Sequence, residues 1–363
     1  MSNPPPSVPK SRSRRSSARA ALAVGAAAAL AAHVALAAAG ERWFWIRDPV
    51  YADRESLMRK LRQAQPPDTP LVVMQGTSRG GYGFNAKRCS ERLSAQCGRP
   101  TIAFNFALAG TGPVVQRVHL PRLLADGHRP SLLLIEIVPA GVAVLPDGPL
   151  EARFLDGAAF RHDELPILER YEIPSERIRR QWRETYYTPF LGFRFNLLGR
   201  FAPVAVPFHL RGSLGRTGDE YGWHRIMEET FTPERFAESR ERALREYTDI
   251  LRDLHPGGAA GRALRDELEL ALAEGIPVCV LLMPEATWFR DLSSPRVTER
   301  FDRWIHELTR EAGCPLIDAR GWMSDDRFAD GHHLLPGGAE AFTDRLADEV
   351  ILPRICPGKK VTP

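Results

Sequence analysis

A serine hydroxyl is a weak nucleophile at neutral pH. It becomes useful when an imidazole takes its proton and a carboxylate holds the imidazole in the right tautomer. Two stretches of this 363-residue sequence place those three groups in suitable settings. One is Gly76-Thr77-Ser78-Arg79-Gly80, a turn that ends an apolar run and opens a helix-length segment. The other is Asp330-Gly331-His332-His333, where Asp330 and His333, three positions apart, can face one another on a single turn. Adjacent residues of an extended loop point opposite ways, so only one histidine serves as base, and the Asp-x-x-His spacing selects His333 over His332. At a helix start the Ser78 N–H, together with that of a glycine such as Gly110, can point at an oxyanion. Asn105, Arg79, Glu285 and Arg290 join Gly110 as candidates for oxyanion or substrate binding, because each falls at or just beyond a strand end. Duller readings stand beside these. Ser78 can simply cap a helix, His333 can be a structural histidine, and Glu285 with Arg290 can be a salt bridge. Asp330, His332 and His333 could instead ligate a metal, but no third cluster of ligands accompanies them, and no metal or cofactor is expected.

The elements that must carry these residues follow from hydrophobic patterning. From Pro70 onward, short apolar runs at 71–75, 101–105, 132–138, 277–283 and 315–318 read as strands. Helix-length segments at 84–96, 114–125, 261–274, 297–312 and 338–350 follow or separate them. Strands that are apolar throughout, each followed by a helix, predict a doubly wound α/β fold with a five-stranded parallel sheet. Ligands of such sheets bind beyond the carboxyl ends of the strands, where the candidate residues collect. The stretch 141–260 breaks the rhythm and is too long for a loop, which predicts a mainly helical insertion or lid. Within it, 177–216 holds eight arginines, eight aromatics and one acid, Glu184. That composition suits solvated and core faces, or a surface that meets lipid headgroups or an acidic glycan.

The first 40 residues differ from the rest. They carry Lys10, Arg12, Arg14, Arg15 and Arg19 and no acid, and without them the chain has 44 basic residues against 45 acidic ones. The basic pI therefore belongs to the tail, and no nucleic-acid partner is expected. Residues 20–40 form an apolar run, interrupted by His33, which at 1.5 Å per residue spans about 30 Å, the thickness of a bilayer core. Basic residues before it and Glu41 after it predict a cytoplasmic tail over 1–19, a single membrane span, and a body outside the cytoplasm. The aromatic flank Trp43-Phe44-Trp45 favours a retained anchor, while the small residues at 35–40 also offer signal-peptide cleavage sites after 37 or 39. A membrane-proximal linker is expected over 41–69 and a catalytic domain over 70–355. Five cysteines, Cys89, Cys97, Cys279, Cys314 and Cys356, are too few and too scattered for a disulfide framework. Cys89 and Cys97 could bridge in an oxidising compartment, and Cys279 reads as a buried thiol.

These motifs resemble the SGNH (GDSL-like) hydrolase superfamily. Gly76-Thr77-Ser78 is similar to its Gly-Asp-Ser block with Thr in place of Asp. Asn105 to Gly110 is similar to its Asn-x-Gly-x-x-Gly block with Ala107 in place of the first glycine. Asp330-Gly331-His332-His333 is similar to its Asp-x-x-His block. The Gly-x-Asn-Asp block is missing: Pro139 follows the third strand, and the asparagine that in the family donates to the oxyanion has no counterpart. With the anchor, the chain looks most like the single-span extracytoplasmic branch that includes the D-alanyl transfer protein of teichoic acid synthesis and alginate O-acetylation proteins. The resemblance implies a Ser78-His333-Asp330 esterase or O-acyltransferase acting on acyl esters of cell-envelope glycans, with an acyl-transferring membrane partner, or else a non-catalytic glycan-binding or scaffold subunit. Gly76-Thr77-Ser78-Arg79-Gly80 also fits the nucleophile elbow of α/β-hydrolases, but that elbow follows several strands, and its acid lies well before the histidine.

Overall fold

The computed structural model describes residues 12–207 and 218–358. Its centre is a parallel sheet of β1 (Leu71–Gln75), β2 (Ile102–Asn105), β3 (Leu132–Glu136), β4 (Val278–Leu282) and β5 (Leu316–Asp318) in the order β2-β1-β3-β4-β5. The first four strands are buried along their whole length, as their unbroken apolar runs require. The order reverses between β1 and β3, and the crevice beyond that pair is where such sheets bind ligands.

Alternate strand residues feed two cores. Val73, Leu133, Ile135, Val280 and Leu282 pack under α3 (Pro49–Gln63), α6 (Pro113–Ala125), α12 (Gly258–Ala273) and α14 (Pro295–Ala312). Val72, Met74, Leu132, Leu134 and Leu281 pack under α5 (Ala86–Cys97) and α15 (Pro336–Leu346), the latter running on through a π turn at Ala347–Ile351. The helix expected at 84–96 is α5, capped by the Asn85 side chain accepting from the Arg88 N–H, and a short helix α4 (Ser78–Gly83) precedes it.

The stretch 41–69, expected as a linker, holds α2 (Phe44–Arg47) and α3 instead. Tyr51, Arg54, Glu55 and Met58 recur on one buried stripe of α3, so it is a sheet-covering helix. The cysteine pairing also differs from expectation: Cys97 bridges Cys356, and Cys89 is a buried free thiol. Cys89 and Cys97 lie on the same helix, about 12 Å apart along its axis, too far for a disulfide.

The N-terminal helix α1 (Arg12–Arg42) is long and apolar enough to cross a membrane. Lys10 lies outside the described residues. The C-terminal end of α1 is locked to the body. A Cβ on Gly40 would stand 2.6 Å from the Phe193 ring, so only glycine allows this approach. Arg47 Nε donates to the Gly40 carbonyl at 2.9 Å, and the Glu41 carboxylate accepts from the His162 N–H and the Trp182 indole N–H.

The insertion at 141–260 is mainly helical. It contains α7 (Leu165–Arg170), α8 (Ser175–Tyr187), α9 (Pro189–Gly192), α10 (Arg194–Phe201) and α11 (Pro233–Arg252), joined by 3-10 turns. Within its arginine-rich part, Phe208, Arg211 and Arg216 lie outside the described residues.

Candidate active site

Ser78 opens α4 immediately after β1, and the backbone there is fixed by side chains from three other elements. Thr77 caps α4, its hydroxyl oxygen accepting from the Arg79 N–H at 3.2 Å. The Thr77 N–H donates to the Glu136 carboxylate, which ends β3 directly beneath the turn. A Cβ at Gly76 would fall 2.4 Å from Glu136 Oε2, which is why this position is glycine. Burial pushes the Glu136 carboxyl up, against the pull of Arg79 and the Thr77 donors. From β2, Asn105 sends its amide N–H groups to the carbonyls of Gly80, Gly81 and Phe84, at 2.9, 3.3 and 2.8 Å, and its Oδ1 accepts from the Ala107 N–H. Asn105 is therefore fully committed to the backbone around α4 and is not among the residues lining the cleft; it positions the serine helix and does not meet an oxyanion.

Asp330 and His333 come from the loop after β5. Asp330 Oδ1 accepts the backbone N–H groups of His332 and His333, at 3.2 and 2.8 Å, folding the loop into a turn through Gly331 at φ +89°. Asp330 Oδ2 accepts from His333 Nδ1 at 2.7 Å, and His333 Nε2 lies 2.8 Å from Ser78 Oγ. A carboxylate only accepts, so Nδ1 carries the ring proton and Nε2 is left to accept from the serine. Burial alone would raise the Asp330 carboxyl; the facing His333 and His332 and the hydrogen bonds of His333 outweigh it and hold the group well below the usual carboxylate range.

His332 does not point away from His333. The two rings stand 4.1 Å apart because the loop is a turn and not an extended strand. His332 is buried, stacked on Phe289 and edge-on to Tyr247, and burial followed by the neighbouring His333 keeps its pKa well below the ordinary value. Donor atoms of Asp330, His332 and His333 lie within 4.8 Å of one another, close enough for a metal. Both nitrogens of His333 are already engaged by Asp330 and Ser78, so a metal would have to break that chain.

The remaining candidates divide. Gly110, at φ +77°, lines the cleft, and its N–H, like that of Ser78, makes no hydrogen bond among the described residues. Arg79 and Glu285 form a buried ion pair at 2.9 Å, and Arg79 also donates to the carbonyls of Met283 and Pro284. Glu285 thus pairs with Arg79, not with Arg290, and ties α4 to the end of β4. Arg290, at the end of α13 (Thr287–Arg290), is directed elsewhere: it donates to the Arg320 carbonyl and lines a separate cavity of about 460 Å³.

The cleft over Ser78 measures about 980 Å³. Its floor is the switch-point edge, and one wall is α11 with Arg235, Glu238, Arg242 and Tyr247. The insertion is strapped to α4 just before that wall. The Trp223 indole N–H donates to the Tyr82 carbonyl at 2.7 Å, the His224 N–H to the Gly81 carbonyl at 3.0 Å, and His224 stacks on Tyr82, which stands edge-on to His333 at 5.1 Å. Opposite, Glu151 accepts from the Val114 and Val115 N–H groups at the start of α6, and burial raises its carboxyl to about 7. Where β3 leaves the sheet, Val138 and Gly141 line the cleft, and no Asn or Gln is among the described residues lining it. Sequence reasoning passed over Glu136, Tyr82, His224 and Glu151. A glutamate inside the run Leu132–Glu136 was the available signal, since a carboxylate has no place in a buried strand without a partner.

A serine–histidine–aspartate chain of hydrogen bonds on the carboxyl edge of a doubly wound parallel sheet is what fold and site define together. The sequence matches no family profile and no curated protein. Among solved structures, TesA is similar with a TM-score of 0.36 at 14% identity, over 79% of this chain and 98% of its own. A carbohydrate acetylesterase from Sinorhizobium meliloti is similar at 0.34 and 12%, over 78% and 99%. An inhibitor-bound aryl esterase from M. smegmatis is similar at 0.33 and 13%, again over 78% and 99%. Overlaps of this size identify no activity, and the chemistry rests on the site.

Proposed function

We propose that the chain is a membrane-anchored, extracytoplasmic serine esterase or O-acyltransferase of the SGNH type, acting on acyl esters of cell-envelope glycans. The observation that carries the reading is the hydrogen-bond chain from Asp330 through His333 to Ser78 at the floor of an open cleft. Ser78 Oγ attacks the ester carbonyl while His333 Nε2 takes its proton, and Asp330 stabilises the imidazolium that forms. The tetrahedral oxyanion is met by the Ser78 and Gly110 N–H groups. The carbonyl–alkoxide bond then breaks, His333 returns the proton to the leaving alcohol, and Ser78 keeps the acyl group. Water or a sugar hydroxyl resolves the acyl-enzyme by the same steps in reverse. The missing side-chain amide removes one oxyanion donor, worth about 10²- to 10³-fold in kcat in other enzymes. A slow hydrolase that holds its acyl group until a better-placed hydroxyl arrives suits transfer.

Two features support the anchored, exported placement. Ala37 is buried, and Ala35 and Leu36 line a hollow with Phe190 and Leu197, so the part of α1 that cleavage after 37 or 39 would remove packs on the body, as suits a retained helix. The Cys97–Cys356 disulfide belongs to an oxidising compartment. A fluorophosphonate probe on the membrane-bound protein should label Ser78 and fail on Ser78→Ala. An alkaline phosphatase fused to the C-terminus should be active and sediment with membranes. Absence of labelling alongside glycan binding would replace this reading with a non-catalytic glycan-binding subunit, which the missing amide favours.

A further inference from the structure

A second concavity, about 1020 Å³, adjoins the catalytic cleft. Tyr82, Gly110, Thr111, Phe154 and His224 line both. From there the groove runs beneath the insertion to Thr188, Phe193, Arg194 and Phe195, on α9, α10 and the turns that flank them. That far end lies beside the membrane helix. The Phe190 ring stands 6.3 Å from His33, which is roughly 13 Å along α1 from Arg42. Phe190 and Leu197 also line an apolar hollow with Ala35, Leu36 and Trp43. Phe190 and Leu191, neighbours on α9, are 55% and 59% exposed, large apolar side chains turned outward beside α1. With α1 spanning a bilayer, Phe190, level with His33, sits at the depth of the outer leaflet, and Leu191 beside it also lines the groove, which brings the groove's far end to the lipid.

The catalytic site therefore has two approaches: the cleft beside α11, and a groove that begins in lipid. Transfer needs two substrates at one serine. We infer that the acyl donor is a membrane-resident amphiphile, its apolar part in the outer leaflet and its ester carried along this groove to Ser78, while the polar acceptor comes through the cleft. The donor ester's carbonyl–oxygen bond breaks as the Ser78 ester forms. The proton from Ser78 passes through His333 to the donor's oxygen, and the amphiphile withdraws to the leaflet as the free alcohol. The acceptor hydroxyl then attacks the Ser78 ester and gives its proton to His333, the acyl–Oγ bond breaks as the new ester forms, and His333 returns the proton to Ser78 Oγ. This inference rests on the serine-esterase reading and on the retained anchor.

The test uses the full chain in phosphatidylcholine nanodiscs and two esters of one acyl group, hexadecyl acetate in the bilayer and p-nitrophenyl acetate in water. Thr188→Trp with Arg194→Trp places bulk at exposed positions that line the groove and not the catalytic cleft. Turnover of hexadecyl acetate should fall at least tenfold, with turnover of p-nitrophenyl acetate and fluorophosphonate labelling of Ser78 unchanged. Arg183→Trp, on α8 but outside the groove, should leave both esters unaffected. Should the double variant misfold, Thr188→Cys carrying a bulky maleimide after purification reads the same blockade, since Cys89, Cys279 and Cys314 are buried. Equal turnover of hexadecyl acetate in blocked and open protein would overturn the inference. So would a parent that consumes p-nitrophenyl acetate and ignores hexadecyl acetate. A parent that neither labels nor turns over either ester defeats the esterase reading first, and this inference with it.

Discussion

The Ser78 turn and the α9–α10 segment stand at opposite ends of one groove and are stabilised in opposite ways. Around Ser78, buried polar groups from β2, β3 and β4 each answer a specific backbone or side-chain partner: Asn105 holds the α4 carbonyls, Glu136 the Thr77 N–H, and Glu285 the Arg79 guanidinium. Around α9 and α10, Phe190, Leu191 and Phe201 are more than half exposed, with only single ring contacts of Phe190 to His33 and Phe201 to Trp45 among the described residues. The first region is rigid because many partners specify one geometry, as a nucleophile held within hydrogen-bond reach of its base requires. The second carries core-type side chains on its outside, the arrangement that the proposed contact with lipid requires.

The comparison sharpens first at the triad. Asp330→Asn should lower turnover about 10⁴-fold by favouring the wrong tautomer of His333, whereas His332→Ala, outside the proton path, should stay within roughly tenfold. Kinetics on a soluble ester decide this, and a dead His332→Ala beside an active His333→Ala would reverse the assignment of the base. Next comes a pair of phenylalanines. Phe104→Ala, inside the sheet, should cost about 3–5 kcal/mol, while Phe201→Ala should stay within about 0.5 kcal/mol in detergent. Equal losses in denaturant titrations would mean that the outward face is covered after all. Glu136→Ala leaves the Thr77 N–H buried without an acceptor and should cost about 1–3 kcal/mol, with a lower kcat on the soluble ester. An unchanged kcat would separate the turn's stability from the placement of Ser78.

The smallest effect is a pH dependence. Glu151 holds its proton more tightly folded than unfolded, from an ordinary 4.5 to about 7, through burial. Its contribution to stability is therefore complete below the unfolded value and is lost as pH rises through about 7. Replacing it by Gln should flatten the fall in Tm between pH 5 and 8. Asp330, shifted the other way, contributes nothing to the slope in that window, because its loss of stability comes only at acid pH. A parallel fall in both proteins would show that Glu151 is not the group responsible.

Much of this arrangement was legible in the sequence because its signals are local. The strands are apolar runs, three of them closed by Gly76, Pro139 and Pro284, and Asp330 and His333 share one turn, so spacing alone brought them together. What escaped depends on partners distant in the chain. Glu285 has a nearby arginine at Arg290 yet pairs with Arg79, 206 positions away. Cys97 has a nearby cysteine yet bridges the far end of the chain. Asn105 reads as a site residue because it ends a strand, but its amide is used up by carbonyls that no pattern reveals. The stripe of α3 was hidden because two of its four buried members, Arg54 and Glu55, are charged. Arg54 donates to the Asn105 carbonyl, and Glu55 meets His128.

The Cys97–Cys356 bridge makes a covalent ring of nearly three-quarters of the chain, its ends separated by 259 positions. Ser78 lies on the arm outside the ring, and Asp330 and His333 lie within it. A protease that clips the insertion anywhere between the two cysteines opens the ring without releasing a piece. The clipped molecule runs as one band on a gel without reductant and as two with it, α1 and Ser78 on one fragment and the histidine on the other. Such a two-chain form keeps both halves of its catalytic apparatus on a single tether, so cuts in the insertion remodel the wall of the cleft while leaving the serine and its base in reach of each other.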